Sequence, residues 1–273
     1  MPKSFSTNRT RLLLWLPFAY AFTSRYHWPR DFVVNALTAW VPGVFLTSLL
    51  GGLGAAQALG AYALGYLVFI SIYELGYLAN DSYGLRHDPT PRQRVDLTLR
   101  PMFLVGFVGV RLATIGVAAS LLGVVGSALF WAALGTLVVT LVAHNTLRSI
   151  ELKFYSFLQL SLLRFSLPVF PALVVEGRQA AVLLVLCTGL MLFSLPRFLT
   201  YLDAKGRLNL PERKALQYHL KAHLTVAPMV FLLAFISAEP APLWCLGWLV
   251  FVQLGYLSFS KAAIWQAGGE AAS

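Results

Sequence analysis

The stretch Tyr73–Arg94, YELGYLANDSYGLRHDPTPRQR, decides how the chain is built, because an apolar helix runs out here into an acidic and then strongly basic loop. On an ideal α-helix, which turns about 100° per residue, the polar side chains of this stretch gather within roughly a 120° arc. The residues on this arc are Glu74, Tyr77, Asn80, Asp81, Gly84 and Asp88. The pattern has two interpretations: a polar helix end that is solvated as it leaves a bilayer, or one half of a functional site.

The composition around this stretch is that of an integral membrane protein. Hydrophobic residues make up 58% of the 273 residues and charged ones 12%, with a mean hydropathy of +0.70, which is more apolar than a soluble domain can bury. The net charge of +10 lies in short loops between apolar runs, so we expect membrane lipids and no nucleic acid as partners. Cys187 and Cys245 fall inside predicted spans, which indicates neither a disulfide nor a thiolate metal site. Trp40 and Trp244, near predicted span ends, indicate an aromatic belt at the membrane interface.

We predict an all-α fold, a polytopic transmembrane bundle of about eight helices, because apolar runs of about 20 residues recur along the chain and do not alternate with period two. The predicted spans are 32–52, 57–79, 100–122, 125–146, 155–175, 179–199, 217–237 and 241–261. Residues 1–31 are predicted to be a cytoplasmic segment that lies along the membrane interface. Residues 32–262 form the single bundle domain, and residues 263–273 form a C-terminal tail.

The connections between the predicted spans alternate in charge. Those after the first and third spans carry no charge, whereas the facing loops are basic, with Arg86, Arg92, Arg94, Arg100, Arg148, Lys153, Lys205, Arg207, Arg213, Lys214 and Lys221. The positive-inside rule therefore predicts that the basic loops and both termini are cytoplasmic. The two longest loops, 80–99 and 200–216, then face the same side, and Arg197–Arg213 becomes the second half of a shared site.

These two loops resemble the two motifs of the UbiA-type intramembrane prenyltransferase superfamily, NxxxDxxxD after the second helix and DxxxD after the sixth. Asn80 and Asp88 occupy the first and last positions of the first motif, and Asp203 opens the second. Asp81 matches the frequent Asn-Asp start of the first motif. Gly84 and Arg207 stand where the family has its central and closing Asp residues. Each motif has therefore lost one carboxylate.

The resemblance implies a UbiA-like bundle and a transferase that acts on an isoprenoid phosphate or diphosphate and a small acceptor. It implies that Asn80, Asp88 and Asp203 hold Mg²⁺, with one ion or none expected because two carboxylates are missing. It also implies phosphate binding by the basic residues of both loops, which are Arg92, Arg94, Lys205, Arg207 and Arg213.

Several alternatives to prenyl transfer stay open. The run DPTPRQR, Asp88–Arg94, is similar to one in the decaprenyl-phosphate phosphoribosyltransferases, which move a phosphoribosyl group onto a polyprenyl phosphate. A terpene cyclase on the same scaffold is a further possibility. The two missing carboxylates also permit a non-catalytic lipid-binding protein or a transporter.

Two cationic residues, Arg111 and Arg164, fall near the middle of predicted spans. A charge at that depth is costly unless it faces the bundle interior and finds a partner, so each predicts either a ligand contact or an internal ion pair. We predict catalytic roles for Asp81, Arg111 and Arg164, with a structural pairing of Arg111 and Glu74 as the alternative.

Overall fold

The structure, a computed structural model, describes residues 3–4, 14–25, 29–82, 95–96, 101–209 and 217–270. The predicted all-α class is confirmed, since the strands in this part are only β1 (Lys3–Ser4) and β2 (Val95–Asp96), which pair in parallel. The helices are α1 (Ala19–Arg25), α2 (Pro29–Asn35), α3 (Val41–Gly51), α4 (Ala55–Ser82), α5 (Pro101–Leu121), α6 (Ala128–Thr146), α7 (Ile150–Ser166), α8 (Phe170–Val175), α9 (Gln179–Gly189), α10 (Leu195–Ala204), α11 (Tyr218–Ser237) and α12 (Ala241–Glu270). A π-helical turn joins α2 to α3 at Ala36–Trp40, and another joins α9 to α10 at Leu190–Ser194.

Seven helical stretches of the described ranges are long and apolar enough to cross a membrane, which supports an integral, multi-pass protein. They are Asp31–Gly51, Ala55–Asp81, Pro101–Leu121, Ala128–Thr146, Gln179–Ala204, Tyr218–Ser237 and Ala241–Ser258. The predicted count of eight is not confirmed, because the predicted span 155–175 consists of the 17-residue α7 and the 6-residue α8. Pro168 and Pro171 explain the break, since neither has a backbone N–H to continue a helix.

Contacts at the two ends of the bundle show how α7 and α8 run. The exposed pair between Arg207 and Glu151, 3.3 Å apart, brings the end of α10 beside the start of α7, at what we call the loop end. Arg178, just before α9, donates to the carbonyl of Leu50 at 3.0 Å, at what we call the turn end, where α3 turns into α4. The α7–α8 pair therefore leads from the loop end to the turn end.

Helix α4 lies at the centre of the bundle, and small residues on it allow close packing. A Cβ atom at Gly65 would collide with the carbonyl oxygen of Pro168 in the α7–α8 break. A Cβ atom at Gly76 would lie 2.5 Å from the side chain of Leu141 on α6. These approaches hold the acidic end of α4 against its neighbours.

Residues 14–25, which we call the N-terminal segment, pack inside the bundle. Leu14, Tyr20, Ala21 and Ser24 are buried, and the ring of Trp15 lies against Gly106 of α5. Leu16 and Phe22 of the same segment are exposed, and the location along the membrane interface that the sequence predicts for residues 1–31 stays a prediction. The backbone of the segment turns through Phe18, which has a φ of 73°, into the short helix α1, so its polar backbone groups require partners inside the bundle.

Candidate functional site

Arg111 supplies partners for the carbonyl groups of the N-terminal segment. Its guanidinium, fully buried at mid-helix in α5, donates to the carbonyl oxygens of Leu14, Trp15 and Leu16 at 2.9, 2.5 and 3.2 Å. It also lies 2.7 Å from the Glu74 carboxylate. The pairing with Glu74, one of the two roles that the sequence leaves open, is therefore present, and the catalytic role of Arg111 stays a prediction.

Glu74 supplies partners for the backbone N–H groups of the same segment. Its Oε1 accepts from the N–H of Ala21 at 2.7 Å, and its Oε2 accepts from the N–H of Phe18 at 3.2 Å as well as from Arg111. A buried charge is tolerated when it is paired and fully hydrogen-bonded. The Glu74–Arg111 pair, which we call the anchor, therefore fixes the N-terminal segment inside the bundle.

Asp81, farther along the same face of α4, also contacts the N-terminal segment. Its carboxylate accepts from the Tyr20 hydroxyl at 3.0 Å and from Nη2 of Arg25 at 3.1 and 3.2 Å. The Arg25 guanidinium lies over the Tyr77 ring, 4.0 Å from its centroid, and the Asn80 amide is 3.4 Å from Asp81. The polar face predicted for this helix is therefore present, and the chain's own N-terminal segment covers it.

Five buried N–H groups in this region have no acceptor in the described part of the chain: Nε of Arg25, Nδ2 of Asn35 and Nε1 of Trp40, and, beside the anchor, Nε of Arg111 and Nε1 of Trp15. The Asn35 amide is oriented by Arg164, which donates to its Oδ1 at 2.8 Å. Because a guanidinium only donates, this contact identifies the amide atom next to Arg164 as the oxygen, and the amide N–H groups are left to donate elsewhere. Buried polar groups are normally hydrogen-bonded, so these donors indicate a place for an acceptor-rich group.

Tyr73 on α4 interacts electrostatically with the cations of three other helices. Its hydroxyl lies within electrostatic reach of Arg164 on α7, Arg197 on α10 and Arg25 on α1. We call this group of six residues the inner polar cluster: Arg25, Asn35, Trp40, Tyr73, Arg164 and Arg197. Tyr73 and Arg197 come from the two stretches of the predicted two-part site, which stays a prediction.

A continuous row of rings on α4 leads away from the cluster toward the turn end. The ring centroids are separated by 4.8 Å between Tyr77 and Tyr73, 4.9 Å to Phe69, 5.8 Å to Tyr66 and 6.3 Å to Tyr62. We call these five residues the aromatic row. Its i, i+3 and i+4 spacing places the rings along one side of the helix.

The Trp40 ring extends this apolar lining across to the N-terminal elements. It packs edge-on against Tyr66 at 5.1 Å, against Phe32 at 5.1 Å and against Phe18 at 5.9 Å. Trp40 is therefore part of the interior and not of the interfacial belt predicted for it, whereas Trp244 is 61% exposed.

Two of the predicted phosphate-binding residues, Lys205 and Arg207, lie at the rim of the loop end. Lys205 and Arg207 are exposed, and Arg207 pairs with the exposed Glu151. Hydrogen bonds from the backbone N–H of Glu151 and from the Ser149 hydroxyl hold the pKa of this carboxyl below its usual value, with a smaller contribution from Arg207. Asp203 is half-buried and acts electrostatically on Tyr218.

Much of the predicted site lies outside the described residues. This applies to Gly84, Asp88, Arg92, Arg94 and Arg213. Within the described ranges, no group of three or more His, Cys, Asp or Glu side chains is arranged to hold a metal ion. Because the predicted ligand set includes Asp88, the Mg²⁺ site at Asn80, Asp88 and Asp203 stays a prediction.

Sequence reasoning missed Arg25, Asn35 and Trp40 as site residues. Arg25 has the charge and location of an ordinary interfacial cation, and nothing in its spacing indicates that it reaches Asp81. For Trp40 the assignment to a span end overlooked a signal in the sequence, because Trp40 is the ninth residue of the predicted span 32–52 and so lies closer to its middle than to its end.

The fold and the inner polar cluster define a class: a multi-pass helical membrane protein with a polar, cation-rich group enclosed near one end of its bundle. No protein-family model matches the chain, and no curated protein or solved structure matches it. The resemblance to the UbiA-type superfamily therefore rests on the motif residues alone.

Proposed function

We propose that the protein is a membrane-embedded transferase of the UbiA type that acts on an isoprenoid phosphate or diphosphate, transferring the prenyl group to a small acceptor with release of diphosphate. The observation that carries this proposal is the inner polar cluster that lies beside the aromatic row, with Tyr73 a member of both and Trp40 packed against Tyr66. A lipid with an anionic headgroup and an unsaturated apolar tail has the same division between a charged end and a long apolar end.

The cluster suits an anionic headgroup for two reasons. Arg25, Arg164 and Arg197 supply three positive charges around Tyr73, and guanidinium groups bind phosphate oxygens through paired hydrogen bonds. The unpartnered N–H groups of Asn35 and Trp40 supply further donors, which phosphate oxygens can satisfy. Donors aimed at a departing diphosphate stabilise the charge that it gains as the bond to carbon breaks.

The aromatic row suits the tail and the reacting carbon. An allylic carbon gains positive charge as diphosphate leaves, and the faces of aromatic rings attract cations, typically by about 0.5–2 kcal/mol. Tyr73 belongs to both the cluster and the aromatic row, so we assign the breaking bond to its vicinity. If Mg²⁺ binds at Asn80, Asp88 and Asp203, it supplies further positive charge to the leaving group.

Phosphoribosyl transfer to a polyprenyl phosphate is the second candidate. One observation favours it: arginines dominate the cluster, while Asp81, the carboxylate beside it, is already bonded to Arg25 and Tyr20. A reaction with two phosphate-bearing substrates requires several cations of this kind. In both candidates we propose that α7 and α8 provide an eighth crossing and that the loop end is cytoplasmic.

The experiment uses the purified protein in liposomes with labelled prenyl diphosphates or labelled phosphoribosyl diphosphate, a range of acceptors and added Mg²⁺. Lipid-soluble products are separated by chromatography and identified by mass. A prenylated acceptor supports the leading proposal, a phosphoribosyl lipid supports the second candidate, and a cyclised hydrocarbon indicates a cyclase. Absence of any product with every donor contradicts the enzyme proposal and favours lipid binding.

Variants of the cluster test where the reaction occurs. We expect Arg164→Gln and Arg197→Gln each to lower kcat/KM by roughly 10- to 100-fold, the loss for a hydrogen bond to a charged group of about 1.5–3 kcal/mol. Arg148→Gln is the matched control, because Arg148 is exposed at the loop end. Equal activity of all three variants and the parent protein would place the reaction elsewhere.

A further inference from the structure

We propose that Arg25 is a headgroup-binding residue, that Asp81 and Tyr77 position it, and that the site thereby holds its anionic ligand without a metal bridge. The resemblance implies Mg²⁺ at Asn80, Asp88 and Asp203, whereas Asp81, which follows Asn80 directly, binds a guanidinium. This inference rests on the proposed function, because it concerns how the same site binds the headgroup of its substrate.

The contacts of Asp81 are those of a residue that positions a cation. Both of its oxygens lie within 3.2 Å of Nη2 of Arg25, and Oδ2 also accepts from the Tyr20 hydroxyl. A magnesium ion requires a near-octahedral shell of oxygen atoms and is repelled by a guanidinium at this distance. Asp81 in this arrangement is therefore unsuited to be a metal ligand.

The guanidinium of Arg25 is held on two sides and retains unused donor capacity. Asp81 binds it through Nη2 and the Tyr77 ring lies beneath it, while the side chain is only 16% exposed. Its Nε–H is buried and has no acceptor among the described residues. A fixed, partly desolvated guanidinium with a free N–H is prepared to donate to a phosphate oxygen without further ordering.

The anchor helps to fix the position of Arg25. Glu74 binds the backbone of Phe18 and Ala21, and Ala21 is one helical turn before Arg25 in α1. The position of the guanidinium is therefore set from inside the bundle. With Gly84 and Arg207 in place of two family carboxylates, fixed arginines supply the positive charge that metal ions would otherwise bring.

The first test measures equilibrium binding of labelled farnesyl thiodiphosphate, a slowly reacting diphosphate, to the protein in nanodiscs with excess Mg²⁺ or with EDTA. We expect affinities that agree within about threefold in the two conditions, and a loss of roughly 10- to 100-fold in Arg25→Gln in both, as for a hydrogen bond between charged groups. Arg25→Lys keeps the charge but not the planar fork, so we expect an intermediate loss. Arg148→Gln is the control.

The outcomes separate this inference from the proposed function. Binding that disappears in EDTA, or that is unchanged in Arg25→Gln and Arg25→Lys, overturns the inference and leaves the proposed function standing. Absence of binding by the parent protein in both conditions overturns the proposed function itself. Thermal unfolding of each variant shows whether it is folded, and Arg25→Lys decides the matter if Arg25→Gln is not.

The second test asks whether Asp81 acts through Arg25. We expect Asp81→Asn to lower the affinity for farnesyl thiodiphosphate in the parent protein. In the Arg25→Gln background we expect it to have no further effect, because the effects of coupled residues are not additive. Equal effects of Asp81→Asn in both backgrounds would mean that Asp81 acts independently, which would overturn its positioning role.

Discussion

Replacing Arg111 by Met tests whether the anchor holds the N-terminal segment. Methionine is long and unbranched and occupies much of the space without a charge. The substitution leaves the Glu74 carboxylate in a site where both side chains are fully buried, and breaking such a pair from one side costs about 3–5 kcal/mol. We therefore expect a markedly lower free energy of unfolding than in Arg148→Met, the matched change at an exposed site.

The double variant Glu74→Leu/Arg111→Met distinguishes an anchor from an isolated ion pair. Replacing an isolated buried pair by apolar residues is often neutral or stabilising. Here five backbone groups of the N-terminal segment would also lose a hydrogen-bond partner, although the Leu16 carbonyl would keep the N–H of Ala19. Each buried group left unpaired costs about 1–3 kcal/mol. If the segment instead leaves the bundle, the burial of Leu14 and Tyr20 is lost, at about 1.5–3 kcal/mol for each large side chain.

Chemical labelling measures the position of the segment directly. In a Cys187→Ser background, which removes the exposed native thiol, Ala21→Cys introduces a thiol at a position that is only 2% exposed. We expect maleimide to leave this thiol unmodified in the parent protein and to modify it rapidly in Arg111→Met and in the double variant. A double variant as stable as the parent, with the thiol still protected, would refute the anchor.

Two further predictions concern packing and the rim. Gly65→Ala should lower the free energy of unfolding by about 1–3 kcal/mol, because the added Cβ would meet the backbone of Pro168. Gly60→Ala has open space around it and should be neutral or stabilising by up to about 1 kcal/mol. Equal unfolding temperatures of the two variants would contradict this. Glu151→Gln should leave the unfolding temperature unchanged at neutral pH, because an exposed ion pair contributes little. Since the pKa of Glu151 is lowered in the folded protein, its ionised carboxylate makes a small contribution to stability at neutral pH, which is lost as the pH falls through that lowered value. A clear fall in the unfolding temperature of Glu151→Gln at neutral pH would contradict this prediction.

Hydropathy predicted most spans well because it sums local properties. The second predicted span, 57–79, corresponds to α4 at Ala55–Ser82, and the sixth, 179–199, extends to Ala204. The extensions arise because a helix continues through polar residues such as Asn80 and Asp81 when tertiary contacts satisfy them. The division of the fifth span is a backbone effect of Pro168 and Pro171, which a hydropathy average does not register.

The candidate site was less predictable because its contacts are long-range. The polar face of α4 is visible as a helical periodicity, but its partner on α1 is separated by more than fifty residues, as in the contact from Arg25 to Asp81. The pairing of Arg111 and Glu74 was foreseen as an alternative because mid-span charges require partners. That both residues would also bind the backbone of the N-terminal segment could not be read from side-chain patterns.

The anchor also imposes an order on folding during synthesis. The N-terminal segment leaves the ribosome before α5, because Arg111, which binds its carbonyl groups, lies 96 residues after Trp15. Until α5 has entered the membrane, the segment has no fixed binding place and Arg25 is not held against Asp81. A nascent chain that ends before Arg111 therefore contains the helical stretches Asp31–Gly51 and Ala55–Asp81 but lacks the partner of the carbonyl groups of the N-terminal segment, so that segment can take its final position only after α5 has been made.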